Sequence, residues 1–312
     1  MSNGDFTLKQ LGYFLAVARY GSVTAAANAV DLSQSAMSNA IAELERSLGV
    51  QLLVRQVARG MFLTAAGELL VAKASRLLED AEEVSAQVRS SSMLLKGPLR
   101  IGCYTSLVST VLSAVLPGYM RRFPDVEVEL REGSEDELLS WLRTGECDLL
   151  ITYRVDLPAD VTFTPIVTLR SYVLVSAEHP ITRSSERALR ELADTPFIML
   201  DLPPSAEFFH GILNLVGISK SPRIRTRSTD VVRALVAENL GFTILTQPRL
   251  GLKDDHLTGR LRAFHLEEEV PTVDVGLARL ASHVPTRRAT EFQRVLEAVL
   301  PEQLTASEEL FI

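Results

Sequence analysis

Between a Gly21-Ser22 break and a second break at Asp31-Leu32 lie eight residues, Val23 to Val30, four of which are alanine. A helix this short and this small lets its neighbours approach closely, with Ala25, Ala26 and Ala29 expected at the contact. The neighbours are legible too. Thr7 can cap a segment in which Leu8, Leu11, Leu15 and Ala18 recur at helical spacing, and Gly21 supplies a left-handed stop. Ser33 caps a third helix running through Ile41, Leu44 and Leu48 to Gly49. Three short helices with tight connections and a small-residue middle member meet the requirements of a helix-turn-helix. Residues 50–63 have β character around Arg59-Gly60, which predicts a two-stranded wing.

From Thr64 to about Ser92 the sequence reads as one long helix. Leu69, Leu70, Ala72, Leu77, Leu78, Ala81, Val84 and Val88 form its apolar stripe. At 1.5 Å per residue this is roughly 40 Å of helix with no globule of its own, so a second chain is the expected partner of the stripe. Ser90-Ser91-Ser92 and Lys96-Gly97-Pro98 mark a linker. Beyond Pro98, strands expected at 99–103, 126–130, 148–152, 172–176, 197–200, 224–227, 242–245 and 273–278 alternate with helices at 107–122, 135–143, 205–216 and 229–239. That alternation predicts βαβ units and mostly parallel sheets. No internal repeat or low-complexity tract interrupts it.

The chain has 312 residues, enough for about two domains, and a formal charge of −7. An acidic balance argues against nucleic-acid binding until the charge is located. Residues 1–62 hold Lys9, Arg19, Arg46, Arg55 and Arg59 against Asp5, Asp31, Glu43 and Glu45, a net +1; residues 63–97 bring the first 97 to zero. The whole acidic surplus therefore belongs to residues 98–312, and a head of +1 should hold DNA well only when several act together. Cys103 and Cys147 cannot build a disulfide framework, and the five histidines show no metal-ligand spacing. The N-terminus lacks a signal-peptide pattern, and no apolar run is long enough for a membrane span. The expectation is a cytoplasmic protein with no metal, no cofactor and no membrane partner.

Residues 7–70 resemble the LysR-type transcriptional regulators. The resemblance rests on Gly21-Ser22-Val23-Thr24-Ala25-Ala26-Ala27, Leu32-Ser33-Gln34-Ser35-Ala36-Met37-Ser38, Ile41, Leu44-Glu45, Leu48-Gly49, Leu52-Leu53, Arg55 and Leu63-Thr64-Ala65-Ala66-Gly67. Further along, Gly97-Pro98-Leu99-Arg100-Ile101-Gly102, Arg122-Phe123-Pro124-Asp125-Val126, Gly145-Glu146-Cys147-Asp148-Leu149 and Leu240-Gly241-Phe242 look like the family's usual effector-domain features. The resemblance implies an α plus α/β protein. Its parts would be a winged helix-turn-helix (1–63), a dimerising linker helix and hinge (64–97), and a two-lobed α/β effector domain (98–312) resembling type 2 periplasmic binding proteins. Lobe I would span about 98–168 and 270–304, and lobe II about 169–269. Implied partners are double-stranded DNA at an interrupted near-palindromic promoter site, a small-molecule effector, further copies of the chain as dimer or tetramer, and RNA polymerase.

Residue chemistry supports the DNA assignment independently. A recognition helix needs short polar side chains at its N-terminal end, where amides and the helix dipole meet phosphate. Ser33, Gln34, Ser35 and Ser38 supply them, and Gln34 suits a bidentate contact to adenine. Thr24 on the preceding helix and Arg55 and Arg59 beside the wing complete the expected contacts. Asn39 stands where many relatives carry arginine, removing a positive charge from the groove-facing helix. The bland reading makes Ser33 a helix cap only and the arginines ordinary surface residues.

In the effector domain, strand-to-helix junctions offer hydroxyls and amides to an anionic ligand. The expected pocket residues are Tyr104, Thr105 and Ser106 after the first strand, Asp201 and Ser205 across the cleft, Ser228 and Thr229 at another junction, and Arg154 as a carboxylate partner. This set suits a small organic acid bearing an amino or hydroxyl group. Cys103 reads as a buried structural thiol and Trp141 as packing. An enzyme or a plain ligand-binding protein on the same scaffold is the alternative, but G-x-S-x-G, G-x-x-x-x-G-K and H-E-x-x-H are all missing from the sequence.

Overall fold

The computed structural model describes residues 6–56, 60–89, 95–183, 188–203, 205–246, 257, 259–266 and 268–308. Two compact units form: Met1–Met93 with Arg143–Glu146, and Leu94–Leu142 with Cys147–Ile312.

The first unit opens with α1 (Leu8–Tyr20), α2 (Val23–Ala29) and α3 (Gln34–Leu48). Thr7 and Gln10 form a reciprocal capping box on α1, and Ser22 and Ser33 cap α2 and α3 through the N–H groups of Ala25 and Ala36. Gly21 and Gly49 end α1 and α3 in the left-handed conformation. Asp31, also left-handed at φ 52°, turns the chain between α2 and α3, a conformation Asp tolerates better than most residues.

Two packing expectations shift in register. The buried face of α1 is Leu11, Phe14 and Val17, while Leu8 is exposed. On α2 the contact is made by Ala26 and Ala27; Ala25 and Ala29 face solvent. A helix of two turns leaves its facing direction to its neighbours, and Met37, Ile41 and Leu44 of α3 meet the Ala26–Ala27 side.

The wing is the antiparallel pair β1 (Leu53–Gln56) and β2 (Gly60–Leu63), with Leu53 opposite Leu63 and Gln56 opposite Gly60. Glu45 on α3 fixes its entry by accepting N–H bonds from Leu52 (2.7 Å) and Leu53 (3.1 Å). At its exit Thr64 donates to the Gln51 carbonyl and accepts from the Gly67 amide, starting α4 (Ala65–Arg89). The predicted stripe on α4 is divided. Leu70 and Leu78, with Val71 and Ala74, pack into the three-helix core, so part of the stripe has a partner in its own chain. Leu69, Leu77 and Val84 remain exposed on a separate face.

The second unit is built on a five-stranded sheet, order β4-β3-β5-β12-β6: β3 (Gly97–Tyr104), β4 (Val126–Gly133), β5 (Leu149–Tyr153), β6 (Val161–Leu169) and β12 (Val273–Leu280). A three-stranded sheet, β10-β7-β11, comprises β7 (Tyr172–Ser176), β10 (Thr243–Leu245) and β11 (Leu261–His265). The parallel pair β8 (Ile198–Leu200) and β9 (Ile224–Thr226) adjoins it through a Phe197–Phe242 bridge. Helices α5 (Ser113–Arg122), α6 (Glu135–Thr144), α7 (Ser205–Leu215), α8 (Thr229–Ala237) and α9 (Arg287–Glu308) pack around these sheets. No helix of the described residues is long and apolar enough to cross a membrane.

The expectation of mostly parallel sheets does not hold. Among the described residues only β3–β4, β3–β5 and β8–β9 are parallel ladders, because β12 returns antiparallel to β5 and β6, and β7 is antiparallel to both its neighbours. Strands β6 and β11 went unpredicted. In β6 the cause is Pro165, which breaks a strand pattern unless the strand is an edge or bulged. Here it is both: β6 closes the sheet, and Pro165 lies opposite Gly276 at a register shift. A Cβ at Gly276 would stand 2.1 Å from the Thr164 carbonyl oxygen, so glycine is required for that close approach. The expected 107–122 helix is also irregular, a tight turn at Thr105–Leu107 and a wide turn at Val108–Leu112 preceding α5.

Candidate DNA-reading helix and effector cleft

On α3 the side opposite Met37, Ile41 and Leu44 carries the predicted groove-facing residues. Gln34, Ser35 and Asn39 are exposed and Ser38 is half-buried. The Gln34 amide reaches the Ser38 hydroxyl, one turn on, at 3.5 Å, which keeps the side chain along the outer face. Ser33 is committed as the cap: its hydroxyl accepts the Ala36 N–H at 3.2 Å and lies 3.1 Å from the Ser35 hydroxyl. The unsatisfied amides of the first turn add a positive helix end beside them. Thr24 is exposed on α2. Arg55 is in β1, opposite Met61. Arg59 lies outside the described residues.

In the second unit, five polar groups from separate elements converge. Tyr104 ends β3 and donates from its hydroxyl to the Pro203 carbonyl at 2.8 Å. Ser106, in the turn that follows, lies 3.2 Å from the hydroxyl of Tyr153 at the end of β5. The Tyr104 and Tyr153 rings meet edge-on with centroids 5.4 Å apart. Ser205 begins α7 and hydrogen-bonds Tyr104, and Thr246 follows β10 and hydrogen-bonds Tyr153. Burial pushes both phenols up, so they stay protonated donors at neutral pH.

Tyr153, Val155, Ser205, Phe208, Phe209, Thr246 and Val273 line a cavity of about 20 Å³. That is space for about one water molecule, so a ligand could enter only after the walls part. The surrounding core agrees: one buried cluster runs from Leu99 and Ile151 through Ile198 and Leu245.

The expected pocket residues therefore separate. Tyr104, Ser106 and Ser205 meet at this cluster, whereas Thr105 is exposed. Arg154 pairs instead with Asp274 at 3.8 Å, and Asp201 with Arg225 at 3.8 Å. Ser228 accepts the Val231 N–H as the cap of α8, and Thr229 is that helix's first residue. Tyr153, Thr246, Phe208 and Phe209 were missed. Tyr153 and Thr246 each sit one residue beyond the predicted end of a strand, where the rule that ligands gather at strand ends would have found them.

A capped three-helix head with a wing, followed by a two-lobed α/β unit with polar groups gathered between its sheets, defines a ligand-responsive DNA-binding regulator. The sequence matches the bacterial regulatory helix-turn-helix protein, lysR family, over residues 8–68 and the LysR substrate binding domain over residues 93–301. The chain belongs to the LysR family of transcriptional regulators. It is similar to the hydrogen peroxide-inducible genes activator of Haemophilus influenzae, 28% identical over 247 residues covering 77% of this chain and 80% of that protein. It is also similar to the transcriptional regulator BbuR of Bordetella bronchiseptica, 27% identical over 290 residues covering 91% and 85%. Among solved structures, HinK, a LysR family regulator from Pseudomonas aeruginosa, aligns with a TM-score of 0.61 at 28% identity over 94% of this chain and 98% of that one.

Proposed function

We propose that this LysR-family regulator reads an interrupted near-palindromic promoter site with the outer face of α3 and the wing, as a dimer or tetramer, under the control of a small organic acid between its lobes. Gln34, Ser35, Ser38 and Asn39 contact base edges, and Thr24, Ser33, Arg55 and Arg59 contact backbone. The exposed Leu69–Leu77–Val84 face of α4 takes the same face of a second copy. RNA polymerase is a further partner in this reading. The observation that carries the effector half is the Tyr104–Ser106–Tyr153–Ser205–Thr246 cluster, because its hydroxyls and the α7 N-terminus favour a carboxylate bearing a second hydrogen-bonding group. The acid binds the parted lobes, and lobe geometry changes the spacing of the DNA-binding heads by shifting an existing equilibrium.

Some relatives are named for induction by hydrogen peroxide. Thiol oxidation fits this chain poorly: Cys103 and Cys147 are both buried, neither is in a disulfide, and burial pushes the Cys103 thiol far above the reactive range. Calorimetry with a panel of hydroxy, amino and keto acids tests the effector reading; heat with one member, lost in Tyr153→Phe, is expected. No heat with any acid contradicts it.

A further inference from the structure

In the lobe built on β7, β10 and β11, a histidine that the cleft does not use is committed at both ring nitrogens. His179 lies just after β7 and precedes the tight turn Pro180–Arg183. Its backbone carbonyl accepts the N–H of Thr182 at 3.0 Å and the Thr182 hydroxyl at 2.8 Å, which fixes the turn. On the ring, Nδ1 accepts the Ile181 N–H at 3.2 Å, and Nε2 lies 3.2 Å from the Thr195 hydroxyl oxygen. Because Nδ1 accepts, Nε2 carries the proton and the ring is neutral.

The residues it holds belong to the core. Ile181 is buried in one apolar cluster with Leu189, Leu192, Phe197, Phe209 and Ile212. Thr195, which leads into β8, is fixed from another side: its carbonyl, with those of Leu192 and Ala193, accepts from the Lys220 ammonium. His179 therefore ties the turn after β7 to the segment before β8. The same cluster seats α7, whose first residue, Ser205, reaches the cleft. The charged neighbours on the elements that meet the ring are Glu178 and Arg183 on its own turn, Arg190, Glu191 and Asp194 on the Thr195 segment, and Lys220. Burial, rather than any of these charges, holds the ring's pKa below its ordinary 6.5. A second proton would sit on Nδ1, facing the Ile181 N–H. Donor would then meet donor, and the bond that holds Ile181 would be lost.

We propose that His179 is an acid-sensitive latch on this lobe, which pins the Ile181 turn to the core when neutral and releases it when protonated. Since the closed latch disfavours the proton, the latch is complete above about pH 6.5 and opens as the pH falls below it. Release loosens the cluster that seats α7, so pH becomes an input to lobe geometry beside the effector. The latch works without a ligand and does not depend on which acid the cleft takes.

The test is hydrogen–deuterium exchange of the full-length protein at about pH 7.5 and about pH 5, each rate divided by the intrinsic rate at that pH. Peptides covering residues 177–183 and 193–195 should lose protection by about tenfold in acid, while those covering β12 change by less than about threefold. His179→Asn keeps an acceptor near the Nδ1 position and cannot titrate. Its turn should be equally protected at both pH values. A fall in His179→Asn as large as in wild type overturns the proposal, as does unchanged protection in wild type or a loss that spreads equally to β12. Circular dichroism and the thermal transition at neutral pH establish whether the variant folds. If it does not, the wild-type ring decides: its titration, followed by nuclear magnetic resonance, should have a midpoint below 6.5, and a midpoint at 6.5 or above overturns the latch.

Discussion

The alpha carbon of Gly67 sits so close to the Leu52 carbonyl that a side chain there would stand 2.2 Å from the oxygen. The same oxygen accepts the Thr64 N–H and hydroxyl. One carbonyl therefore fixes where the wing ends and α4 begins, which gives the Leu63-Thr64-Ala65-Ala66-Gly67 stretch a mechanical reason.

Gly67→Ala should destabilise the first unit by about 1–3 kcal/mol despite alanine's better helix propensity, because the clash is with backbone that cannot swing away. Two-transition urea unfolding checks this: the transition that abolishes DNA binding should move to lower urea, while unfolding of the second unit stays in place.

Leu77→Glu should shift the protein toward smaller assemblies without unfolding it, since Leu77 is 44% exposed and lies on the α4 face that the three-helix core leaves uncovered. Sedimentation velocity reads the change. An unaltered distribution at micromolar concentration would remove α4 from the self-association surface.

The alkaline limb of stability follows from buried acids. Burial raises the Cys103 thiol and the Tyr104, Tyr119 and Tyr153 phenols above their ordinary values of 9.0 and 10.0. The folded chain keeps protons that the unfolded chain releases, so their contribution is complete below about pH 9 and falls as pH rises beyond it. Urea midpoints should be lower at about pH 10.5 than at pH 8. The same burial predicts that native Cys103 resists maleimide and peroxide at neutral pH.

The helical head was readable because its signals are local. Caps at Thr7, Ser22 and Ser33 and stops at Gly21 and Gly49 each act within one turn. The facing direction of α2 was not readable, because Ala25 and Ala26 are equivalent until a neighbour chooses. In the effector unit, the strand-end rule reached Tyr104 and Ser106 but stopped one residue short of Tyr153. The ion pairs of Arg154 with Asp274 and Asp201 with Arg225 were not readable, because the sheets alone bring those partners near. Sheet direction was equally invisible: β12 inserts antiparallel between two strands formed much earlier in the chain.

Sequence reading by α3 is the step on which the proposed function rests. Quantitative footprinting of the intergenic DNA beside the protein's own gene, with wild type and Gln34→Ala at low and moderate salt, tests it most directly. Wild type should protect a two-part near-palindromic site. Gln34→Ala should lose preference for that site over unrelated DNA by about tenfold, roughly 1.4 kcal/mol and within the range of one bidentate base contact, while keeping most nonspecific affinity. Protection of no site by wild type at low salt, or equal weakening of Gln34→Ala on every sequence, would contradict it.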